Sequence, residues 1–380
     1  MKIGIDATFN LHGGSQGHLL NFLDHLSSKF QKSHIFLYLR KENIKKLDKK
    51  IIDKCTLKIV KLTSYGNFFR ILWMQTLLPI SLKKNNIDIL FCPGNISPII
   101  KSTKIKSQWI ATIGPFCKDM YRENNLFTRL SLFLNKQIIL FSSRTSNVVI
   151  HQAEYSQNLF EKRYNFISSQ QYLIQCGKDD FYKPDLKKIK TSNHISKITN
   201  DDLLYVSHIF PYKNISILIN ALAKYKIIKK KSIKLFIVGK IMNNRYYDSL
   251  IKKIEKNDLN NDIIFTGSAT KDELRYAYSK CKLFIFPSFC ESSGYTLIEA
   301  MSCGAPILAS NKTATPFTCR EAAEYFDPHD EDQLLSKLEL LLVSNEQLKI
   351  LKQKSLKRAS EMINYKKATD IFVDIIKSNL

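Results

Sequence analysis

The sequence predicts an α/β protein built from two doubly wound parallel-sheet domains that face each other across a cleft. Three observations predict it. The chain has 380 residues, more than one hydrophobic core usually serves. Short apolar runs alternate with longer segments of helical period. A polar stretch with turn signals separates two such series. We therefore predict a domain over 1–178, a linker over 179–200, a domain over 201–362, and a C-terminal helix over 363–380 that could pack back on the first domain.

The first series contains seven predicted strands, with amphipathic segments between several of them. The predicted strands are Lys2–Ile5, Ile35–Leu39, Leu57–Lys61, Ile87–Cys92, Trp109–Ile113, Asn147–Ile150 and Tyr172–Gln175, and two of the helices are His18–Phe30 and Phe127–Ser142. Strand, crossover and strand again is typical of a parallel sheet with helices on both faces.

The second series repeats this alternation after the linker. Its predicted strands are Leu203–Val206, Lys234–Val238, Ile263–Thr266, Leu283–Phe286, Pro306–Ala309 and Glu324–Phe326. Its predicted helices are Asn214–Ile228, Tyr246–Asn257, Thr270–Ser279, Thr296–Ser302, Glu331–Val343 and Glu346–Met362, followed by the terminal helix Tyr365–Ser378. In such sheets ligands bind beyond the carboxyl ends of the strands, so chemistry is expected there.

Charge and cysteine content indicate which binding partners and which cellular compartment to expect. Lys and Arg number 58 against 34 Asp and Glu, a net charge of +24, which suggests a nucleic acid, an anionic membrane or a phosphorylated substrate. Richness in Lys, Ile and Asn together also fits an AT-rich genome, and both explanations stay open. None of the eight cysteines forms a C-x-x-C pair, which argues against a zinc ribbon, and free thiols fit a reducing cytosol.

No segment of the sequence predicts a signal peptide or a membrane span. The N-terminus lacks an apolar h-region and a small-residue cleavage site. The most apolar window, Ile71–Leu82, is too short to cross a bilayer and is interrupted by Gln75 and Pro79. We therefore expect a cytoplasmic protein that is soluble or peripheral.

A glycine-rich turn follows the first predicted strand. Gly13, Gly14 and Gly17 would let the backbone approach a ligand, and a helix N-terminus behind them would favour phosphate. The spacing is not G-x-G-x-x-G, so a dinucleotide cofactor is disfavoured. The alternative is a flexible glycine turn without a ligand.

A second candidate lies just past the strand Leu203–Val206. Lys213 is predicted near the start of the next helix, where a cation opposes the helix macrodipole, and a phosphate ligand would explain its presence. His208 could donate to the same phosphates. The alternative is a solvated lysine in a lysine-rich chain.

The most informative stretch begins where the strand Leu283–Phe286 ends. A loop carries Glu291, and Ser293-Gly294-Tyr295-Thr296 opens a helix that carries Glu299 and ends at Gly304, in the place of a C′ glycine. Backbone N–H groups and a hydroxyl at a helix start make an anion site, with Glu299 within reach of a ribose diol. The alternative is that Glu299 only stabilises the first turn.

These residues resemble a known family. Glu291 and Glu299, with seven residues between them, resemble the E-x7-E signature of the family-four retaining glycosyltransferases, which have the GT-B fold and include bacterial enzymes of polysaccharide and lipopolysaccharide synthesis. The continuation to Pro306 is similar to that family's helix and turn. Other stretches that look like family positions are Gly13-Gly14, Lys213-Asn214, Phe265-Thr266-Gly267 and Ala322-Ala323 before Tyr325-Phe326-Asp327-Pro328. The resemblance covers nearly the whole chain and is most specific over 203–330.

The resemblance implies transfer of a sugar from a nucleotide-diphospho-sugar donor to a hydroxyl of a glycan acceptor, with retained anomeric configuration and without a metal ion or other cofactor. It implies catalytic roles for Glu291 and Lys213, and donor binding by Gly13, Gly14, His208, Lys213, Gly267, Ser268, Glu291, Ser293, Gly294, Tyr295, Thr296 and Glu299. Lys213 would neutralise the diphosphate, Glu299 would hold the ribose and Glu291 would contact the donor sugar. Fixed positive charge and N–H donors would stabilise the leaving diphosphate.

The sequence also departs from the family's pattern. His208 stands where many relatives carry Arg, which pairs better with phosphate. Gly114-Pro115-Phe116 stand where many carry a catalytic histidine, Ser292-Ser293 precede Gly294 in place of Gly-Phe, and Cys176-Gly177 replace the usual Asn-Gly. The alternative function is therefore a catalytically inactive glycosyltransferase-like scaffold or partner subunit.

Two further expectations concern partners. No nucleic-acid-binding motif accompanies the charge, so a nucleic acid is not expected. The segment Asn67–Met74 mixes aromatic residues with Arg70 and could lie against a membrane or a lipid-linked acceptor, although a core-packing helix is the alternative. Together with the charge, this predicts a peripheral enzyme on the inner face of the cell membrane that extends a lipid-linked glycan of lipopolysaccharide, O-antigen or capsule.

Overall fold

A computed structural model of the chain describes residues 1–9, 11, 13–62, 66–165, 169–186, 191–192 and 194–380. Asn10 and His12 of the glycine-rich turn, and Lys187, Lys188 and Lys190 of the predicted linker, lie outside the described residues. The chain forms two compact units. The first comprises Met1–Phe116, Asn125–Gly177 and Ile363–Leu380, and the second comprises Cys117–Asn124 and Lys178–Met362.

The first unit contains a seven-stranded parallel sheet of order β3-β2-β1-β4-β5-β6-β7. Its strands are β1 (Ile3–Ala7), β2 (Ile35–Arg40), β3 (Thr56–Val60), β4 (Ile89–Cys92), β5 (Ile105–Ile110), β6 (Val148–His151) and β7 (Gln170–Leu173). Its helices are α1 (Gly13–Ser27), α2 (Lys41–Ile44), α3 (Lys49–Asp53), α4 (Gly66–Lys84), α6 (Leu126–Thr145), α7 (Glu154–Arg163) and α15 (Tyr365–Ser378). The strand order reverses between β1 and β4, which makes this a doubly wound sheet.

An aromatic cluster forms the centre of the first core. The ring of Phe372, on α15, lies 5.1 Å from that of Phe22 and 4.6 Å from that of Phe91. Trp109, which is fully buried, contacts the same rings. The last helix of the chain is therefore part of the core of the first unit.

The second unit contains a six-stranded parallel sheet of order β10-β9-β8-β11-β12-β13. Its strands are β8 (Leu203–Val206), β9 (Leu235–Val238), β10 (Ile263–Gly267), β11 (Leu283–Phe286), β12 (Ile307–Ser310) and β13 (Glu324–Phe326). Its helices are α5 (Lys118–Arg122), α8 (Ile215–Lys229), α9 (Asn244–Lys256), α10 (Lys271–Lys280), α11 (Tyr295–Ser302), α12 (Thr315–Cys319), α13 (Glu331–Val343) and α14 (Asn345–Glu361). The predicted pair of doubly wound parallel sheets is confirmed.

Short apolar runs form the second sheet because parallel strands are covered on both faces. Every residue of β8, β9, β11 and β12 is buried. Near-continuous apolar sequence, rather than strict alternation, is what such strands require. This is why the sequence located these strands to within a residue.

The prediction for the fifth strand was shifted along the chain. The strand runs over Ile105–Ile110 rather than Trp109–Ile113, and it buries three polar residues, Lys106, Ser107 and Gln108. The Lys106 ammonium donates to the carbonyl of Pro98 at 2.5 Å and to the hydroxyl of Thr145 at 2.8 Å. These partners lie outside the strand, so the local sequence shows only a polar stretch.

The glycine-rich turn is also shorter than predicted. Gly13 and Gly14 lie in the first turn of α1, although we predicted that this helix begins at His18. Glycine costs about 1 kcal/mol relative to alanine inside a helix. Burial of Phe22, Leu23 and other apolar residues of α1 in the first core offsets that cost.

Two findings bear on membranes and redox chemistry. Over the described ranges, no helix combines the length and the apolar character needed to cross a bilayer. All eight cysteines are buried free thiols.

Candidate functional site

The candidate site lies at the carboxyl ends of two neighbouring strands of the second sheet. Strands β8 and β11 are hydrogen-bonded neighbours, and the strand order reverses between them. Ligands of doubly wound sheets bind at such a reversal. The loop after β8 carries Lys213 and the loop after β11 carries Glu291.

A single turn of 3-10 helix presents Lys213. The turn spans Pro211–Lys213, and Asn214 follows in the left-handed region with φ of 55° as the N-cap of α8. The amide of Asn214 donates to the carbonyl of Pro328 at 2.8 Å and fixes this corner. Lys213 therefore lies one residue before the N-cap of α8, close to the helix start as predicted.

Lys213 and Glu291 form a buried ion pair. The ammonium Nζ lies 2.6 Å from Glu291 Oε1, and each side chain is only 11% exposed. The Ser288 hydroxyl donates to the same carboxylate oxygen at 2.5 Å. The backbone N–H of Glu291 donates to the Thr313 hydroxyl at 2.9 Å. Hydrogen bonds to the carboxylate and from the backbone thus both hold Glu291 in place.

The surroundings of Lys213 keep it charged. Burial alone would lower the pKa of Lys213, but the carboxylate of Glu291 more than offsets this and raises the pKa above its ordinary value. The ammonium also lies 5.0 Å from the centre of the Tyr212 ring and 5.6 Å from that of Phe286. The site therefore holds a permanent cation that an internal anion neutralises.

The start of α11 provides backbone donors. Gly294 is the N-cap with φ of +68°, and no side chain caps the helix. An α-helix leaves its first N–H groups without an intrahelical acceptor, and its dipole favours an anion there. The hydroxyl of Ser293, which is 3% exposed, has no hydrogen-bond partner among the described residues. These groups can receive a phosphate together with Lys213.

Both ends of α11 depend on a glycine. A Cβ on Gly294 would lie 2.7 Å from Leu297 Cδ1. Gly304, with φ of +75°, closes the helix through N–H bonds from Gly304 to Met301 and from Ala305 to Ala300. This is a Schellman motif, and it confirms the predicted C′ glycine.

Glu299 occupies a half-buried position one turn inside α11. The fully buried Tyr278, on α10, donates its hydroxyl to Glu299 Oε2 at 3.0 Å. Burial raises the pKa of Glu299 to about 7, and hydrogen bonds from Tyr278 and Tyr182 offset part of that rise. The carboxyl is therefore positioned by phenols and titrates near neutral pH.

The other residues predicted to bind the donor are spread over further loops of the second unit and over the first unit. His208 follows β8 in a half-buried position, and Gly267 ends β10, two strands away, with φ of +76° and Ser268 after it. Gly13 and Gly14 belong to the first unit. Their contact with a donor stays a prediction.

The sequence reasoning missed four residues near these loops: Tyr182, Gly239, Tyr278 and Ser288. A Cβ on Gly239 would lie 1.9 Å from the carbonyl oxygen of Ser207, so only glycine fits beside the end of β8. The S-x-x-E spacing of Ser288 and Glu291 was a usable signal. Tyr278 contacts Glu299 across 21 residues and leaves no local signal.

The described residues were also compared with the arrangement that a metal ion needs. In the part of the chain that the structure describes, no group of three or more His, Cys, Asp or Glu side chains is arranged to hold a metal ion.

Comparison with known families identifies the second unit. Residues 188–358 match the family described as glycosyl transferases group 1. The chain carries a glycosyl transferases group 1 domain. Lys213, Glu291 and Glu299 all lie within this glycosyltransferase domain.

Curated relatives of the domain include mannosyltransferases. The serotype-specific mannosyltransferase WbdA of Escherichia coli is 28% identical over 176 residues, which cover 46% of this chain and 22% of the relative. The O-antigen chain mannosyltransferase B of Escherichia coli is 30% identical over 131 residues, 34% of each chain. The match thus spans only about a fifth to a third of the length of these relatives.

Solved structures agree over nearly the full length. Sucrose-phosphate synthase from Thermosynechococcus elongatus has a TM-score of 0.80 at 15% identity and covers 99% of this chain and 98% of its own. WaaG, a glycosyltransferase involved in lipopolysaccharide biosynthesis, has a TM-score of 0.76 at 17% identity, with 97% and 99% covered. HepE of Anabaena, solved with UDP-glucose, has a TM-score of 0.69 at 15% identity and full coverage of both chains. At such identities the likeness shows the fold, and it confirms the predicted GT-B class.

Proposed function

We propose that this protein is a retaining glycosyltransferase that moves a sugar from a nucleotide-diphospho-sugar to a hydroxyl of a lipid-linked glycan, without a metal ion. The observation that carries the proposal is the arrangement at the β8–β11 reversal. A buried cation, a helix start and an unpaired buried hydroxyl lie on loops from adjacent strands. This is the set of groups that a diphosphate needs.

The reaction places its main electrostatic demand on the leaving group. When the bond between the sugar and the phosphate breaks, negative charge grows on the diphosphate. Lys213 carries a fixed positive charge, and the α11 start adds N–H donors and the positive end of a helix dipole. Since these groups can supply the stabilisation that a divalent cation supplies elsewhere, metal independence follows as part of the proposal.

The carboxyl groups have separate proposed roles. Glu299, held by a hydrogen bond from Tyr278, accepts hydrogen bonds from the ribose hydroxyls of the donor. Glu291 leaves Lys213 when the diphosphate arrives and contacts the hydroxyls of the donor sugar. Gly267 and Ser268, at the end of β10, pass beside the base.

The named relatives support the acceptor class. WbdA and the O-antigen chain enzyme are named mannosyltransferases, and WaaG is titled as an enzyme of lipopolysaccharide biosynthesis. We therefore propose that the acceptor is a surface glycan under assembly on a lipid carrier, and that the enzyme acts as a peripheral protein on the inner face of the cell membrane.

Nucleotide binding is the first test. The purified protein is titrated with UDP, GDP, ADP and CMP in EDTA while its melting temperature is followed, because a ligand that binds only the folded state raises that temperature. We expect one diphosphate to give a clear shift that Lys213→Ala and Glu299→Ala abolish. Lys224→Ala, which removes an exposed lysine paired with Glu331, should keep the shift and serves as the control.

The outcomes separate the two candidate functions. No shift with any nucleotide would refute the active transferase. A shift without sugar transfer to extracted lipid-linked glycans would favour the inactive scaffold. When transfer is seen, the anomeric configuration of the product, read by NMR, tests retention.

A further inference from the structure

Helix α6 of the first unit presents a row of large apolar side chains to the solvent. The exposed residues are Leu126, Phe127, Leu130, Phe133, Leu134 and Phe141. Leu126 and Phe127 are each 82% exposed. The first five positions are linked by intervals of three and four, and Phe141 lies seven residues, or two turns, beyond Leu134, so all six form one stripe along the helix.

The opposite side of α6 shows that this stripe is not a packing face of the chain. Toward its C-terminal end the helix buries Ile139, Leu140, Ser142 and Ser143 and leaves Phe141 52% exposed. The two serine hydroxyls are satisfied by the carbonyl of Ile139 at 3.0 and 2.8 Å. The buried side of this end is thus half polar, whereas a surface helix normally turns its large apolar residues inward.

The stripe continues onto a neighbouring helix and loop. Gln75 of α4 donates to the carbonyl of Ser97 and accepts from the N–H of Ile99 at 2.7 Å. The Ser97 hydroxyl lies 3.1 Å from that of Ser146, beside the end of α6. The exposed residues of α4 and this loop are Phe68, Phe69, Leu72, Leu77, Ile80, Ile99 and Ile100.

We call these residues, with the stripe on α6, the outer apolar face. It holds 13 of the 23 large apolar side chains that are exposed among the described residues. Such concentration marks a contact surface, because scattered apolar residues are the norm.

The segments that form the outer apolar face carry cations and no carboxylates. The segments 66–84, 95–101 and 126–145 contain no Asp or Glu. Lys83, Lys84, Lys101, Arg129 and Arg144 are exposed within them. A second copy docked through the same face would bring these cations together, which disfavours a dimer. An anionic lipid surface complements both the apolar stripe and the charge.

We infer that the outer apolar face docks on an anionic lipid bilayer, with α6 lying in the interface and its phenylalanine rings inserted below the headgroups. This deepens the membrane part of the proposed function and names its surface. It also corrects the expectation for the segment Asn67–Met74. Phe68 and Phe69 are exposed, but Arg70 is 3% exposed and pairs with Asp6 at 2.6 Å, so Arg70 does not reach lipid.

The test is flotation of the full chain with vesicles. One set contains equal parts of phosphatidylglycerol and phosphatidylcholine, and the other contains phosphatidylcholine alone. The variants are Phe127→Asp with Phe133→Asp, which removes two rings, and Arg129→Gln with Arg144→Gln, which removes two charges. The control is Ile227→Asp with Val343→Asp, at positions 77% and 78% exposed elsewhere.

We expect the wild type and the control to float with the anionic vesicles. Binding should fall by roughly tenfold for each ring removed, because each phenylalanine loses its transfer out of water. The arginine variant should bind less at low salt and resemble the wild type at high salt, where charge is screened.

Three results would overturn the inference. They are equal flotation of the wild type and the ring variant, equal loss in the control, and a wild-type dimer in analytical ultracentrifugation that the ring variant makes monomeric. The nucleotide-induced melting shift is measured on every variant and should be unchanged. A failed shift in the wild type with intact flotation would refute the donor site and leave this surface standing.

Discussion

At the residue scale, the cation of the candidate site already has an anionic partner. Glu291 holds Lys213 at 2.6 Å where a diphosphate would bind, so the ligand must compete with an internal carboxylate. Glu291→Gln keeps the shape and removes the charge. We expect nucleoside diphosphate affinity to rise by roughly threefold to tenfold and sugar transfer to fall by about a hundredfold, since a neutral amide competes less and contacts the sugar less well. Calorimetric titration and initial rates measure the two effects.

The matched control for this change is Glu331→Gln. Glu331 also pairs with a lysine, Lys224, but on an exposed surface. It should alter neither affinity nor rate. A weaker nucleotide affinity in Glu291→Gln would mean that the carboxylate supports the site and does not compete for it.

The pH dependence of stability tests the environment of Glu299. Its pKa is raised by burial from an ordinary 4.5 to about 7. At a pH between these two pKa values, Glu299 keeps its proton in the folded state but has lost it in the unfolded state. The free energy of unfolding therefore falls as pH rises from about 5 to 7. Glu299→Gln lacks this slope and should gain on the order of 1–3 kcal/mol relative to the wild type between pH 5 and pH 8. Urea unfolding at both pH values measures the difference, and parallel profiles would contradict the raised pKa of Glu299.

Local sequence showed which residue types stand at the site but not how they pair. The strand-end loops with Lys213 and Glu291 followed from the α/β pattern and the glycine positions. Their ion pair joins residues 78 positions apart, and the Tyr278 contact depends on how α10 packs beside α11. Long-range pairing of this kind has no local periodicity, so the sequence could not predict it.

At the element scale, α11 offers two glycines in the same unusual conformation at opposite ends. Gly294→Ala and Gly304→Ala should each destabilise the fold by about 1–2 kcal/mol, because a side chain is strained at positive φ. Only Gly294→Ala should also weaken nucleotide binding, by about tenfold, because it shifts the N–H donors of the first turn. Chemical denaturation and nucleotide titration of both variants separate strain from ligand contact. Equal affinity in the two variants would remove the helix start from the site.

The elements themselves were predictable where the sequence shows an apolar run or a helical period. β8, β11, β13 and α13 occupy the predicted ranges because apolar runs and helical periods are local properties. β5 and the start of α1 were misplaced for opposite reasons. In β5 the buried side chains of Lys106 and Gln108 are satisfied by distant partners, and in α1 distant packing overrides the low helix propensity of glycine.

At the scale of the whole molecule, each unit has its own hydrophobic core. The core of the first unit includes α15 from the end of the chain, and the core of the second unit is built around β8 and α8. The proposed nucleotide site draws its charged groups from the second unit, whereas the outer apolar face belongs to the first. The proposed donor site and the proposed lipid contact therefore lie in different units of the chain.

This separation predicts two thermal transitions that respond to different changes. Phe372→Ala removes a ring from the aromatic cluster of the first core and should destabilise that unit by about 3–5 kcal/mol. Leu341→Ala, fully buried on α13, should destabilise the second unit by about 2–5 kcal/mol. In scanning calorimetry, the bound nucleoside diphosphate should raise the temperature of only one transition, the one that Leu341→Ala lowers, because the ligand stabilises the unit that binds it. If a single cooperative transition shifts with both variants and with the nucleotide, the two cores unfold together, and the two units are not independently stable.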